Sequence, residues 1–222
     1  MHRFFLTTFL IASAWLGLVQ PGRAQGTIAY YRPDTPIPLF TSGFAQYYSL
    51  DMDGDVTPEL TFSYSFQFLG VRYEAHNRVL SEMLPFPSQS GVPQPLPAGF
   101  PLGATSDSGD LRWFAGIPGA DYDTDFYGLA ICVSSGCGGN FLGQHAYMGV
   151  EFERGGAVHY GWVLLNVASH YPSGTIEAWA WETRPGVPIC AGAVPEPSTW
   201  ALLVGGGVLM VWFRRKRNER RG

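Results

Sequence analysis

Residues 60–68, Leu-Thr-Phe-Ser-Tyr-Ser-Phe-Gln-Phe, alternate apolar and polar without a break. A strand turns successive side chains to opposite faces, so a period of two gives one apolar face and no amphipathic helix. The spacing predicts a half-buried strand carrying Leu60, Phe62, Tyr64, Phe66 and Phe68 on its inner face, with Gly70 turning the chain into a hairpin partner over 71–80. Gly155-Gly156 accepts the positive φ of a two-residue hairpin turn and predicts that 147–153 pairs antiparallel with 158–164. Ser173-Gly174 then leads into a third strand over 175–182. Further strands are expected at 26–31, 44–50, 111–114 and 125–133, and no stretch of the body has helical spacing. About nine short strands separated by turn signals predict an all-β domain, an antiparallel β-sandwich or jelly roll. Between 84 and 103 stand Pro85, Pro87, Pro93, Pro95, Pro97 and Pro101, so a long surface loop is expected there.

Both ends of the chain have a different character. Met1-His2-Arg3 precedes an apolar run over 4–19, and Gly22-Arg23-Ala24 places small residues where a signal peptidase reads. This pattern predicts a signal helix cleaved after Ala24, and the lack of a cysteine after the run disfavours a lipid anchor. At the other end an uncharged apolar run, 200–213, meets Arg214-Arg215-Lys216-Arg217. A transmembrane helix over about 199–213 would be about 22 Å long against about 30 Å of hydrocarbon, and Gly205-Gly206-Gly207 weakens it further. Trp200 and Trp212 bracket it as interfacial aromatics, and the basic tail, 214–221, places the C-terminus in the cytoplasm. The expected division is a signal peptide over 1–24, an ectodomain over 25–193 and a membrane-directed tail over 194–222.

The order Val194-Pro195-Glu196-Pro197-Ser198-Thr199, apolar segment, arginine cluster resembles the C-terminal sorting signal of PEP-CTERM proteins. The resemblance implies an exported bacterial surface protein whose tail is recognised and processed by an exosortase, a membrane cysteine protease. By the same resemblance Pro195, Glu196 and Pro197 are the recognition and processing residues, with no catalytic duty in this chain. Phe152-Glu153, Gly155-Gly156, His159-Tyr160-Gly161-Trp162 and Ala178-Trp179-Ala180-Trp181-Glu182, followed by Pro-Gly-Val-Pro-Ile, look like the core of many PEP-CTERM ectodomains. That second likeness supports the membership and supplies no activity.

Without its ends the chain keeps six arginines, no lysine and 16 acidic residues, a net charge of −10 over 25–193. Such a body argues against nucleic acid and anionic lipid as partners, and suits solubility outside the cell or divalent cations. Cys132 and Cys137 flank four residues in a turn-rich segment, and in an oxidising compartment a local disulfide is expected. Cys190 is left over.

Asp51-Met52-Asp53-Gly54-Asp55-Val56-Thr57-Pro58-Glu59 is the most specific chemical motif. Asp51, Asp53, Asp55 and Glu59, with the Thr57 carbonyl, can wrap one cation, and hard oxygens favour Ca²⁺. The order resembles the D-x-D-x-D-x-x-x-D/E calcium loops of extracellular modules. Val56 stands where these loops usually have glycine, and Phe62 stands where an EF-hand has its bidentate glutamate. Asp121, Asp123 and Asp125 form a second alternating acid set, read as a solvated loop. His159 reads as a structural histidine, and His145 and His170 lack metal-site spacing. Trp113, Trp162, Trp179 and Trp181 read as core residues, with a sugar-stacking platform as the alternative.

Together these features lead us to expect no catalytic residues. They point to an exported, membrane-anchored and then surface or matrix protein, structural or adhesive in an exopolysaccharide matrix. The expected partners are exosortase, signal peptidase, extracellular polysaccharide and, through the tail, the membrane. A glycan-binding lectin or a glycan-processing hydrolase is the alternative.

Overall fold

The structure, a computed structural model, describes residues 28–40, 44–73, 76–83, 91–115 and 127–195. The signal peptide, the second acid set and all but the first two residues of the 194–222 tail lie outside these residues. Among the described residues no helix is long and apolar enough to cross a membrane.

The described chain is all-β and antiparallel. Its strands are β1 (Ile28–Tyr31), β2 (Ile37–Leu39), β3 (Gln46–Leu50), β4 (Leu60–Tyr64), β5 (Phe68–Tyr73), β6 (Arg78–Met83), β7 (Gly91–Pro93) and β8 (Pro101–Leu102). They continue with β9 (Leu111–Ala115), β10 (Tyr127–Val133), β11 (Gly136–Gly138), β12 (His145–Arg154), β13 (Ala157–Val167), β14 (Gly174–Glu182) and β15 (Ile189–Cys190). An eight-stranded sheet runs β1-β14-β13-β12-β6-β7, with β2 also on β14 and β9 also on β6. A five-stranded sheet runs β11-β10-β5-β4-β3, and β15 pairs with β8 alone.

The meander β12-β13-β14 forms where local turn chemistry demands it. Gly155 and Gly156 take φ of 59° and 79°, and the register Arg154↔Ala157, Glu153↔Val158, Phe152↔His159 follows from that two-residue turn. Gly161 faces Trp181 across the next pair, and Trp179 faces Val163.

Both faces of this meander are buried. On one side Met148, Val150, Phe152, Val163, Leu165, Trp179 and Trp181 pack against Leu50, Leu60, Phe62, Leu69 and Val71 of the five-stranded sheet. On the other, Tyr160, Trp162, Ala178 and Ala180 lie under Leu96, Leu102, Trp113, Ile189 and Ala191. A large apolar side chain moved from water to such a position contributes about 1.5–3 kcal/mol.

The expected strand over 60–68 is shorter than its alternation suggests. β4 ends at Tyr64, Ser65–Gln67 make a turn, and Phe68 opens β5. The turn is closed by Ser65 N–H donating to the Phe68 carbonyl at 2.7 Å and Gln67 N–H donating to Ser65 Oγ at 3.4 Å. A serine that bonds its own backbone two residues on competes with the ladder. Phe66 is therefore exposed at the turn, and Gly70 sits inside β5 opposite Ser63. Nor is β4 half-buried: Thr61 and Ser63 are buried too, and Thr61 Oγ1 meets Ser49 Oγ at 3.2 Å. The expected partner strand over 71–80 is divided between the sheets, β5 in the smaller and β6 in the larger.

The proline-rich stretch also differs from its expectation. Its described part is a packed cover rather than a surface excursion. β7 pairs with β6, Leu96 exchanges both backbone hydrogen bonds with Tyr147, and β8 pairs with β15. Prolines stand at positions of short edge strands that do not need every donor.

Gly161 tests the packing of the meander. A Cβ there would meet the Ala180 carbonyl oxygen at 2.6 Å and Trp181 Cβ at 3.0 Å. Gly161→Ala is expected to destabilise the domain by about 2 kcal/mol through overpacking. Urea unfolding followed by tryptophan fluorescence measures it, with an unchanged m-value.

Candidate functional site

The β3–β4 turn carries the acidic motif. Glu59 N–H donates to the Leu50 carbonyl at 3.0 Å and closes the hairpin. Within it each carboxylate accepts nearby amides. Asp51 Oδ1 accepts from Gly54 at 2.7 Å and Oδ2 from Val56 at 2.8 Å. Asp53 Oδ1 accepts from Asp55 at 3.0 Å, and Asp55 Oδ1 from Thr57 at 2.8 Å. These bonds curl the chain so that one oxygen from each of Asp51, Asp53, Asp55 and Glu59 lies within 4.8 Å of the others. Ca²⁺ holds oxygens at about 2.3–2.6 Å, so opposite ligands of one ion stand about 4.6–5.2 Å apart. The four carboxylates fit that sphere. Thr57 lies in the same turn, exposed, with its amide tied to Asp55.

Val56, where such loops usually have glycine, adopts the left-handed backbone that glycine favours. Val56 has φ of 72° and is the one non-glycine with positive φ among the described residues. Its side chain is 93% exposed, so the strain is conformational and not steric crowding by neighbours. Asp51 holds it there by accepting its amide proton.

The turn is tied to the larger sheet by residues far away in sequence. Trp179 Nε1 donates to the Met52 carbonyl at 3.3 Å, and Asn77 Nδ2 donates to the Glu59 carbonyl at 3.2 Å. Asn77 Oδ1 in turn accepts from Glu153 N–H at 3.2 Å. Arg154, at the end of β12, places Nε 2.8 Å from the buried Oδ2 of Asp53 while its guanidinium lies 5.0 Å over the Trp181 ring. Arg154 thus supplies one positive charge to a turn holding four carboxylates. None of Asn77, Arg154 or Trp179 is signalled by the motif itself. The position of Arg154 beside the predicted Gly155-Gly156 turn was the single available hint.

Glu59 is 4% exposed, and its Oε2 accepts from Met52 N–H at 2.5 Å. Burial pushes its pKa up to about 7. The Met52 amide opposes the rise, and the neighbouring Asp53 and Asp51 charges add to it.

The remaining candidates are structural. Cys132 and Cys137 face each other across β10–β11 and are joined as a disulfide, while Cys190 is free and exposed. His159 is buried, its Nδ1 2.9 Å from the Glu182 carbonyl, between the rings of Phe152 and Trp181. His145 pairs with Glu177 at 3.0 Å. Trp113, Trp162, Trp179 and Trp181 are all buried, so they form no sugar-stacking platform. Exposed aromatic surface gathers elsewhere: Phe40, Phe66 and Tyr171 line a groove of about 710 Å³ with His170, Pro172 and three serines. Sequence spacing gave no sign of this groove, because its walls come from three separate turns.

In metal-free protein the raised pKa of Glu59 has a definite consequence. The folded state holds the proton more tightly than the unfolded chain, so the stability this provides is complete below about pH 4.5 and lost as pH rises through about 7. The slope cannot exceed about 1.4 kcal/mol per pH unit for one proton. Urea unfolding at pH 5, 6, 7 and 8 in chelator is expected to show this decline, and Glu59→Gln to flatten it.

The last described residues belong to the tail. Val194 and Pro195 are exposed, and Glu196 and Pro197 lie outside the described residues. No curated protein and no solved structure matches the chain. Residues 193–217 match the PEP-CTERM protein-sorting motif, a signal that supports export, anchoring by the C-terminus and sorting by an exosortase.

Proposed function

We propose that residues 25–193 form a non-catalytic structural or adhesive module of the extracellular polysaccharide matrix, stiffened by one bound Ca²⁺. The convergence of Asp51, Asp53, Asp55 and Glu59 within 4.8 Å, on a turn tied to the opposite sheet, carries the calcium part. When bound, the ion neutralises the charges that the hydrogen-bonded turn has brought together. This chain's residues supply the rest: Asp51 and Asp55 orient the turn through its amides, Glu59 contributes a buried carboxylate, and Trp179 and Asn77 transmit the turn's rigidity to the larger sheet. A cation at Asp53 competes with Arg154 for its Oδ2. The matrix role is supported by the sorting tail and by a core that is dense on both faces of the meander.

The groove at Phe40, Phe66 and Tyr171 favours a second reading, a glycan-binding lectin. Exposed rings can stack on the apolar faces of sugars, with Ser65, Ser169 and Ser173 offering hydroxyl partners.

Calcium is expected to raise the melting temperature of the mature domain by several degrees at pH 7.5 and chelator to reverse it. Asp53→Ala should abolish the shift, and no shift in the wild-type domain would remove the metal from the proposal. For the matrix role, the domain is expected to co-sediment with extracellular polysaccharide without releasing reducing ends. Release of reducing ends would establish a hydrolase instead. Loss of co-sedimentation in Tyr171→Ala would favour the lectin.

A further inference from the structure

The chain between the last long strand and the sorting motif is bound to the domain almost to the motif itself. β15 pairs with β8 through Ile189↔Leu102 and Cys190↔Pro101. Beyond it, Ala191 N–H donates to the Phe100 carbonyl and Gly99 N–H to the Ala191 carbonyl, both at 2.8 Å. Ala193 N–H donates to the Cys190 carbonyl at 2.9 Å, and the Trp162 indole donates to the Ala193 carbonyl at 3.2 Å. Gly192 takes φ of 80° and lies so close to Tyr147 that a Cβ would meet its Oη at 2.7 Å. Tyr147 is held edge-on to Trp162, ring centroids 5.1 Å apart. Ile189 and Ala191 are 4% and 2% exposed.

Residues 189–193 are thus a strap, and the sorting motif begins at its last residue. Only Val194 and Pro195 follow before Glu196, a reach of about 7 Å when extended. A protease engages its substrate as an extended segment of several residues, about 10–13 Å on one side of the reacting bond for three or four residues. A segment of that length N-terminal to Glu196 includes Ala193, whose carbonyl Trp162 holds, and reaches Gly192, which is in a left-handed turn that no extended substrate shares.

We propose that the strap regulates sorting: the exosortase engages the Pro195-Glu196-Pro197 region only after residues 191–193 peel from Trp162 and Tyr147. The inference rests on the sorting reading and adds the step that limits it. Docked and free strap are in equilibrium, and the rate of processing follows the free fraction. A folded domain therefore presents its handle slowly, and each lost strap contact releases it faster.

The test follows loss of the basic tail from the full-length chain by pulse-chase in an exosortase-bearing host. Inserting six Gly/Ser residues after Val194 leaves the folded domain and the Pro195-Glu196-Pro197 order intact and supplies the missing reach. It is expected to speed processing by about fivefold or more, the factor given by one net hydrogen bond. Trp162→Phe, which keeps an aromatic ring and removes the indole donor, is expected to speed it by about fivefold, with no further gain when combined with the insertion. Glu196→Ala is the unprocessed control. Processing that is unchanged or slowed by the insertion would overturn the strap while leaving the sorting reading in place. Retention of the tail by wild type and variants alike would remove the sorting reading and the strap with it.

Discussion

The middle of the meander β12-β13-β14 is buried on both faces, and the rest of the domain is arranged to satisfy that constraint. Its side chains are apolar on both sides, so a simple two-layer sandwich would leave Tyr160, Trp162, Ala178 and Ala180 uncovered. The five-stranded sheet covers one face, and the proline-rich segment with the C-terminal strap covers the other. Buried polar groups on the meander find partners in it or beside it: His159 meets the Glu182 carbonyl, and Glu182 Oε1 accepts from the amide of Arg184, just beyond β14. Glu151, 4% exposed, pairs with Arg78, and burial raises its pKa while that guanidinium opposes the rise.

The same constraint gives the acidic turn its importance. Apolar contacts between sheets are non-directional and do not fix how the sheets are set against each other. The Trp179–Met52, Asn77–Glu59 and Arg154–Asp53 contacts are directional and converge on one hairpin turn, and the Asn77–Glu153 bond ties Asn77 in turn to β12. Whatever changes the charge of that turn acts on both sheets at once. In the metal-free state Arg154 offsets part of the repulsion, and the raised pKa of Glu59 lets a proton offset more.

On the opposite face, covering the meander links the fold to sorting. The segment that shields Trp162 is also the one that leads into the motif at residue 193. Packing the core and leading into the motif therefore draw on the same residues, 189–193, and the proposed strap depends on that competition.

Features set by nearest neighbours were legible in the sequence. Gly155-Gly156 dictated the β12–β13 register, acids at 51, 53, 55 and 59 of one short turn brought four carboxylates together, and the tail announced itself through the order of its motif, apolar run and basic cluster. Features set by long-range contact were not. The alternation over 60–68 predicted one strand, yet a serine-capped turn broke it, because hydrogen bonds local to Ser65 outweighed periodicity. Thr61 and Ser63 look solvent-facing in sequence and are buried. Prolines over 84–103 suggested a surface loop and concealed that, in the described part, Leu96 and Leu102 seal the second core. Arg154, Asn77 and Trp179 reach the acidic turn from strands and loops many residues away, and no local pattern encodes that meeting. Turns and charges act over a few residues and can be read in order, whereas burial depends on which surfaces the folded chain brings together.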